Sequence, residues 1–347
     1  MGVAIGSLIK DCKIKFELDD SLKNKKIGID AYNMLYQFLT NIRGADGQSL
    51  KNNKGEITSH LNGLFYRMLK FLYTGAEYIF VFDGTSNYLK NQTKDDRHNK
   101  KVIAEEKYKK AVDEGNKEDI YKFSKQFVTL DNKIISEAKE LILAMGIGYL
   151  DAPSEAEAQI SYLTSVNKLD YTVSQDYDCL LFGSPNLIRN LTVSGKKKVP
   201  YKNIYIDVYP EIIKPECVFK TLNINRNKLI WLSMLIGTDF NKKIEGIGPK
   251  TALKLVQKYD SFEDIIEYLE SKNKIIDFDY KEVENIFLNP DVDKDPKIIN
   301  GKFDKEKIED IMINKANFSE ERIKSSLDKY ITQKQEKDKQ KSISQWF

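Results

Sequence analysis

The chain is poor in the residues that mark histidine, thiol and zinc chemistry. Of its 347 residues only His60 and His98 are histidines, which leaves little room for histidine acid–base catalysis. Its three cysteines, Cys12, Cys179 and Cys217, are odd in number and form no Cys-x-x-Cys pair. That argues against a disulfide framework or a zinc site and for a reducing interior. The longest apolar-looking stretch, 141–150, is too short to span a bilayer, which takes about 20 residues. No long apolar core near the N-terminus reads as a signal peptide. The expectation is a soluble intracellular protein with no membrane partner. Charge of one sign is lacking as well: 55 Lys+Arg stand against 52 Asp+Glu, a net +3. Bulk charge therefore does not call for nucleic acid, and a basic surface has to come from segregating the two signs. With 41% hydrophobic residues, the chain can bury a sizeable core in one large domain or two.

What the chain has is acids that follow apolar runs. Asp30 follows Lys26-Ile27-Gly28-Ile29, and Asp83 follows Tyr78-Ile79-Phe80-Val81-Phe82. Glu155 and Glu157 come after Ile147-Gly148-Tyr149-Leu150, and Asp176 and Asp178 after Tyr171-Thr172-Val173. Asp239 comes after Trp231-Leu232-Ser233-Met234-Leu235-Ile236. Taken singly, each reads as a solvated strand end or a helix cap. Together they are costly to desolvate unless something positive collects them. Hard divalent cations with oxygen ligands, Mg²⁺ or Mn²⁺, fit best. Two such ions ~3.5–4 Å apart are the usual apparatus of in-line phosphodiester cleavage.

Strand-like runs at 26–30, 78–82, 147–150, 170–174 and 187–191 are separated by stretches long enough for helices. That pattern predicts an α/β fold with an open, mostly parallel central sheet flanked by helices. Ligands of such sheets bind beyond the carboxyl ends of the strands, the edge that Asp30, Asp83, Asp176 and Asp178 occupy. An extended backbone would point Asp176 and Asp178 to one side. Pro153-Ser154 suggests a helix start, whose first turn lets Glu155 and Glu157 face a common site.

Residues 84–130 break the rhythm with lysines interleaved with acids and with Tyr88, Tyr108, Tyr121 and Phe123. They read as a charged helical insertion beside Asp83, either a solvated helix pair or a cover over a nucleic-acid strand. Lys196-Lys197-Lys198 reads as a hairpin tip in water, with a phosphate contact as the second reading. Ile244-Glu245-Gly246-Ile247-Gly248-Pro249-Lys250 has the form of a helix–hairpin–helix, whose glycines let backbone approach a phosphate. Residues 333–341 lack apolar anchors and are predicted disordered, yet Trp346-Phe347 close the chain, an exposed pair that needs a partner to bury it.

These elements resemble the archaeal and eukaryotic flap endonucleases, within the wider XPG-like nuclease family, over nearly the whole chain. The resemblance rests on Ile29-Asp30-Ala31 with Tyr36-Gln37-Phe38-Leu39, Thr58-Ser59-His60-Leu61 with Phe65-Tyr66-Arg67, and Val81-Phe82-Asp83-Gly84. It rests further on 152–159, Ser174-Gln175-Asp176-Tyr177-Asp178, Gly237-Thr238-Asp239 and Gly246-Ile247-Gly248-Pro249-Lys250. It implies a PIN-like nuclease core with a helical arch, and makes Asp30, Asp83, Glu155, Glu157, Asp176, Asp178 and Asp239 a two-metal ligand set. Lys90 and Arg97 look like the family's basic pair on the scissile phosphate, and Tyr36 like the aromatic that stacks on a base. Gly2 looks like the processed N-terminus beside the site. Arg43 and Arg67 match positions near the downstream duplex and the bend. Gly246, Gly248 and Lys250 fall on the DNA-binding hairpin, and the carbonyls of Lys243, Ile244 and Ile247 match a monovalent-cation (K⁺) site there. Gln340, Ile343, Trp346 and Phe347 look like the family's sliding-clamp box. One departure is Thr85-Ser86-Asn87, where the family usually has Lys-Pro-Pro; a less rigid approach to the arch is expected.

The division expected is 1–83 and 131–225 for the nuclease core, 84–130 for the arch, 226–266 for the helix–hairpin–helix, 267–332 for a C-terminal helical region and 333–347 for the tail. The activity expected is a structure-specific 5′ flap endonuclease with 5′-3′ exonuclease activity, acting in Okazaki-fragment maturation and repair as a monomer apart from the clamp. The alternatives are a 5′ exonuclease or a gap or junction endonuclease of the same superfamily, a PIN-type ribonuclease, or a clamp-tethered DNA-binding factor without catalysis.

Overall fold

Alternation along two central strands decides the layers. In the computed structural model, described for residues 2–44, 48–191, 195–198 and 204–344 (side chains at 91–97, 117, 196–198, 205 and 338–344 excepted), nine strands occur among the described residues. They are β1 (Ile14–Lys15), β2 (Lys26–Asp30), β3 (Glu77–Phe82), β4 (Gly148–Asp151), β5 (Tyr171–Val173), β6 (Leu187–Arg189), β7 (Gly195–Lys198), β8 (Tyr205–Val208) and β9 (Glu211–Ile213). The five strands expected from the sequence are β2 to β6, within one to two residues at their ends. They run parallel in the order β6-β5-β2-β3-β4. Two short strands unforeseen in the sequence, β9 and β1, extend the β6 edge antiparallel.

Successive side chains of β3 enter opposite cores, as the period of two requires. Tyr78, Phe80 and Phe82, with Ile27 and Ile29 of β2, pack against α1 (Ala31–Asn41), α2 (Ser59–Leu72) and, past the next two helices, α5 (Asn132–Ala144). Ile79 and Val81 pack against α6 (Ala156–Ser165). A third core joins Val3, Ile5 and Ile9 to α7 (Asp178–Leu181), α8 (Pro215–Leu222), α9 (Arg226–Ile236), α10 (Pro249–Lys258), α11 (Phe262–Glu270) and α12 (Tyr280–Leu288). The chain switches direction about β2: β3 follows on one side and β5 lies on the other. Such a switch leaves a crevice at the carboxyl ends of the strands.

Residues 84–130 form the helical pair expected, α3 (Asn91–Asp113) and α4 (Lys117–Ser124). Two expectations are corrected. Lys196, Lys197 and Lys198 lie within β7, paired with β8, rather than at a turn. Residues 333–341 are not disordered: after α13 (Lys305–Glu309), α14 runs from Glu320 to Ser344. Gln, Lys and Glu are strong helix formers, so a run without apolar anchors can still propagate a helix nucleated upstream. Here Ile323, Leu327 and Tyr330 anchor it in the core. Farther along, Lys337 Nζ donates to Asp20 Oδ1 at 2.7 Å and to the Tyr73 carbonyl at 3.0 Å. Gln340 and Ile343 fall on this helix by backbone; their side chains, and Trp346 and Phe347, lie outside the described residues. No helix among the described residues is long and apolar enough to cross a membrane.

Candidate active site

Five chain segments deliver carboxylates to the crevice. Asp30 ends β2 and caps α1, its Oδ1 accepting from the Asn33 amide at 2.9 Å. Asp83 follows β3, and its Oδ1 accepts from the Ala156 amide at 2.7 Å. That bond ties it to the first turn of α6, where Glu155 is the cap and Glu157 lies two residues further in. Gly84 makes this turn possible, because a side chain there would run into the Ala152 carbonyl. Its amide and that of Thr85 donate to the Ser154 and Pro153 carbonyls at 2.7 and 3.0 Å. Asp176 and Asp178 are not on extended backbone as expected: Asp176 lies in a bend after β5, and Asp178 opens α7. Asp239 follows a helix, α9, rather than a strand, after Gly237 turns the chain at φ +91°.

Hydrogen bonds and electrostatic coupling show that these groups share one site. Ser174 Oγ donates to Asp30 Oδ2 at 3.2 Å and to Glu157 Oε1 at 2.7 Å. Burial pushes Asp30 up to about 8, with Asp83 and Asp176 adding to it. Burial raises Glu157 well above the carboxylate range, helped by Asp176, Asp178 and Asp30. Asp178 is pushed to about 7 by burial, against the Val3 amide and with Asp239 and Asp176. Burial, then Glu155, lifts Asp83 to about 6. Each value states the same physical fact: like charges are held together in a place poor in water.

Among the described side chains, Lys90 answers them directly. Lys90, in a single turn (Tyr88–Lys90) leading into α3, ion-pairs with Glu155 and stands 3.9 Å from Asp239 Oδ2 and 5.1 Å from the Phe240 ring centre. Burial acts to lower its pKa, but Glu155, Asp239 and Asp83 outweigh it and the ammonium is held charged. Gly2 lines the other wall: a Cβ there would stand 2.6 Å from Asp176 Cβ and 2.7 Å from Asp178 Oδ1, while the Val3 amide donates to Asp178 Oδ1 at 2.7 Å. Among the described residues no three His, Cys, Asp or Glu side chains form a ready-made metal cage. The donor set is nonetheless all oxygen, buried or partly buried and mutually repelling; that chemistry suits hard divalent cations.

The remaining candidates sit farther out. Tyr36 is exposed on α1, with Lys101 Nζ 5.8 Å from its ring centre. Arg43 is engaged with protein: its Nη2 donates to the Ser124 carbonyl at the end of α4 at 3.2 Å, and its Nε to the Thr40 carbonyl at 3.3 Å. Arg67 is partly buried on α2, which lowers its pKa. The Arg97 backbone falls in α3, and its side chain lies outside the described residues. Lys243, Ile244, Gly246, Ile247 and Gly248 form the turn between α9 and α10, with Gly246 at φ +72°, Pro249 opening α10 and Lys250 beside it. Sequence reasoning missed Ser174, although it lies two residues before Asp176 in the motif. It also missed Lys274, whose Nζ donates to the Glu245 carbonyl at 2.6 Å.

The comparisons with known proteins agree with this geometry. Residues 1–104 match the XPG N-terminal domain and residues 146–239 the XPG I-region. Flap endonuclease 1 of Ignicoccus hospitalis is 42% identical over 351 residues, covering 100% of this chain and 99% of its own. The chain belongs to the flap endonuclease family. Flap endonuclease 1 of Nanoarchaeum equitans is 44% identical over 95% of this chain and 94% of its own. The solved flap endonuclease-1 from Methanococcus jannaschii superposes with a TM-score of 0.73 at 36% identity, covering 97% of this chain and 100% of its own. The catalytic core of Rad2 in complex with DNA substrate does so at 0.70 and 25% identity, over 95% and 100%. A flap endonuclease is a structure-specific nuclease, a hydrolase acting on DNA.

Proposed function

We propose that this flap endonuclease cuts the 5′ strand of a DNA flap in the crevice at the ends of β2, β3 and β5. Two divalent cations, Mg²⁺ or Mn²⁺, would be held there by Asp30, Asp83, Glu155, Glu157, Asp176, Asp178 and Asp239. The observation that carries the reading is the convergence of these carboxylates beside Lys90, with Asp30, Asp83, Glu157 and Asp178 pushed above their ordinary range. When bound, such ions lower the pKa of water and stabilise the leaving oxygen. Lys90 is poised to exchange Glu155 for the scissile phosphate and, with Arg97, to neutralise charge that grows in the transition state. Ser174 keeps Asp30 and Glu157 together. The Val3 amide fixes Asp178.

Other elements would hold the substrate. α3 and α4 cover a threaded single strand, and Tyr36 offers a face to a base. Arg43 and Arg67 lie toward the downstream duplex and the bend. The backbone of Gly246 and Gly248, with Lys250, meets a duplex phosphate, and a K⁺ on the carbonyls of Lys243, Ile244 and Ile247 would strengthen that contact. Gln340, Ile343, Trp346 and Phe347 bind a sliding clamp. The protein would work as a monomer inside the cell, on flaps left by lagging-strand synthesis and repair.

A cleavage assay and two variants test the reading. Cleavage of a labelled double-flap DNA should require Mg²⁺, stop in EDTA, and exceed cleavage of gap and junction substrates. Gly248→Leu has open space and ordinary φ, so the protein should fold while duplex binding weakens by about tenfold. Trp346→Ala with Phe347→Ala should remove clamp stimulation by about thirtyfold in affinity and leave basal cleavage intact. Metal-independent cleavage, or equal cutting of all substrates, would overturn the proposal.

A further inference from the structure

The clearest unexplained chemistry outside the crevice is a pair of thiols far apart in sequence, Cys12 and Cys217. Cys12 closes the short turn Lys10–Cys12 and is fully buried. Cys217 lies in the first turn of α8 and is only partly buried. Both converge on one hydroxyl. Thr221 Oγ1, one turn beyond Cys217 on α8, lies 3.3 Å from Cys12 Sγ and 3.9 Å from Cys217 Sγ. Burial pushes the Cys12 thiol up, and the Cys217 thiol beside it adds to the shift. The third cysteine, Cys179, is buried in α7.

We infer that Cys12 and Cys217 form a reversible disulfide that staples the N-terminal segment to α8. The oxidant is a small disulfide such as oxidised glutathione. The Cys217 thiolate, at the accessible position, attacks it to give a mixed disulfide and one free glutathione. The Cys12 thiolate then attacks the Cys217 sulfur, closing the protein disulfide and releasing the second glutathione. Two protein thiols are oxidised, one glutathione disulfide is reduced, and the two thiol protons leave with the two glutathiones. Because the Cys12 thiol titrates above its ordinary value, the second step is the slow one and speeds up as pH rises. The place matters: Val3, Ile5 and Ile9 share a core with Val218 and Leu222 of α8, and the same segment brings the Val3 amide to Asp178. A bond between residues so far apart in sequence closes a long loop of the unfolded chain, which is where disulfide stabilisation is largest.

The test uses the full chain, folded, with oxidised glutathione. Free thiols are then alkylated, and the peptides are mapped with and without dithiothreitol. The expected result is a linked pair of peptides carrying Cys12 and Cys217 that dithiothreitol separates, with Cys179 left to be alkylated after unfolding. The Tm should rise by about 5–10 °C over the reduced protein. Cys217→Ser should stay at its reduced Tm under the same treatment, and Cys12→Ser should hold glutathione on Cys217. The inference is overturned if glutathione persists on Cys217 in the unmutated chain at alkaline pH, if the link forms only in denaturant, or if Cys217 joins two chains instead. Any of these would leave the pair as two small apolar side chains filling an interface.

Discussion

The crevice and the helical pair α3–α4 beside it are built on opposite terms. In the crevice, carboxylates that repel one another are fixed by backbone amides, by Ser174 and by the strand ends beneath them. The pair has almost no core: among its described side chains, Ala104, Ala111, Ile120 and Ser124 are buried. Most of its described charged side chains are exposed, and its ties to the body include the Arg43 contact with the end of α4 and Lys101 over Tyr36. A frame that holds like charges against their repulsion has to be rigid. A pair of helices with few buried contacts opens at small cost. The difference teaches that the chemistry is preorganised while access to it is adjustable.

Four experiments sharpen or break that contrast. Asp178→Ala removes a carboxylate held on the rigid side, and cleavage should fall by about 10³-fold or more, since several kcal/mol of charge stabilisation are at stake. Flap binding, measured by fluorescence anisotropy, should change little, because most of the proposed duplex and strand contacts lie on other elements; a parallel loss of binding would mean the acids only organise the fold. Lys90 belongs to both regions, since it leads into α3 and ends among the acids. Lys90→Ala should lower turnover by about 10²–10³-fold with affinity nearly unchanged, as for removal of one preorganised donor. A rise in KM at constant kcat would instead make Lys90 a docking residue.

The third experiment reads the repulsion itself. Unfolded carboxylates titrate near ~4, whereas Asp83, Asp178 and Asp30 titrate near about 6, 7 and 8 in the folded chain. The folded state holds these protons more tightly, so its advantage is complete below ~4 and is lost as pH rises through 6 to 8. In chelator, Tm should drop by several degrees across that window, and Mg²⁺ should restore it more at the alkaline end. A flat profile would show that the charges are already compensated. The smallest effect is expected at the tie between the regions. Arg43→Ala should raise protease cutting within 91–124 by a few-fold, and flap DNA should suppress that cutting. Unchanged cutting would place the hold on α3–α4 elsewhere.

Much of this was legible in the sequence, for identifiable reasons. The parallel strands announce themselves through apolar runs, and the acids through the cost of ending such a run with a charge. Glu155 and Glu157 were placed correctly because Pro153-Ser154 marks a helix start. The bend at Asp176 was misread as strand because a spacing of two fits both an extended chain and a turn into a helix. The extent of α14 was misjudged because disorder and a solvent-exposed helix share one composition. The meeting of Cys12 and Cys217 has no local signature, since it depends on how distant segments pack.

The geometry of α14 also settles how the molecule can be gripped. Its 25 residues would extend roughly 37 Å at 1.5 Å per residue. Lys337 fastens it near Asp20 and Tyr73, which precede β2 and β3 and so mark the end of the sheet opposite the acids. If a sliding clamp binds the proposed residues at the end of the chain, it would hold the nuclease from the side opposite the acids. The acidic crevice would then point away from its holder, like the working end of a tool held by its shaft.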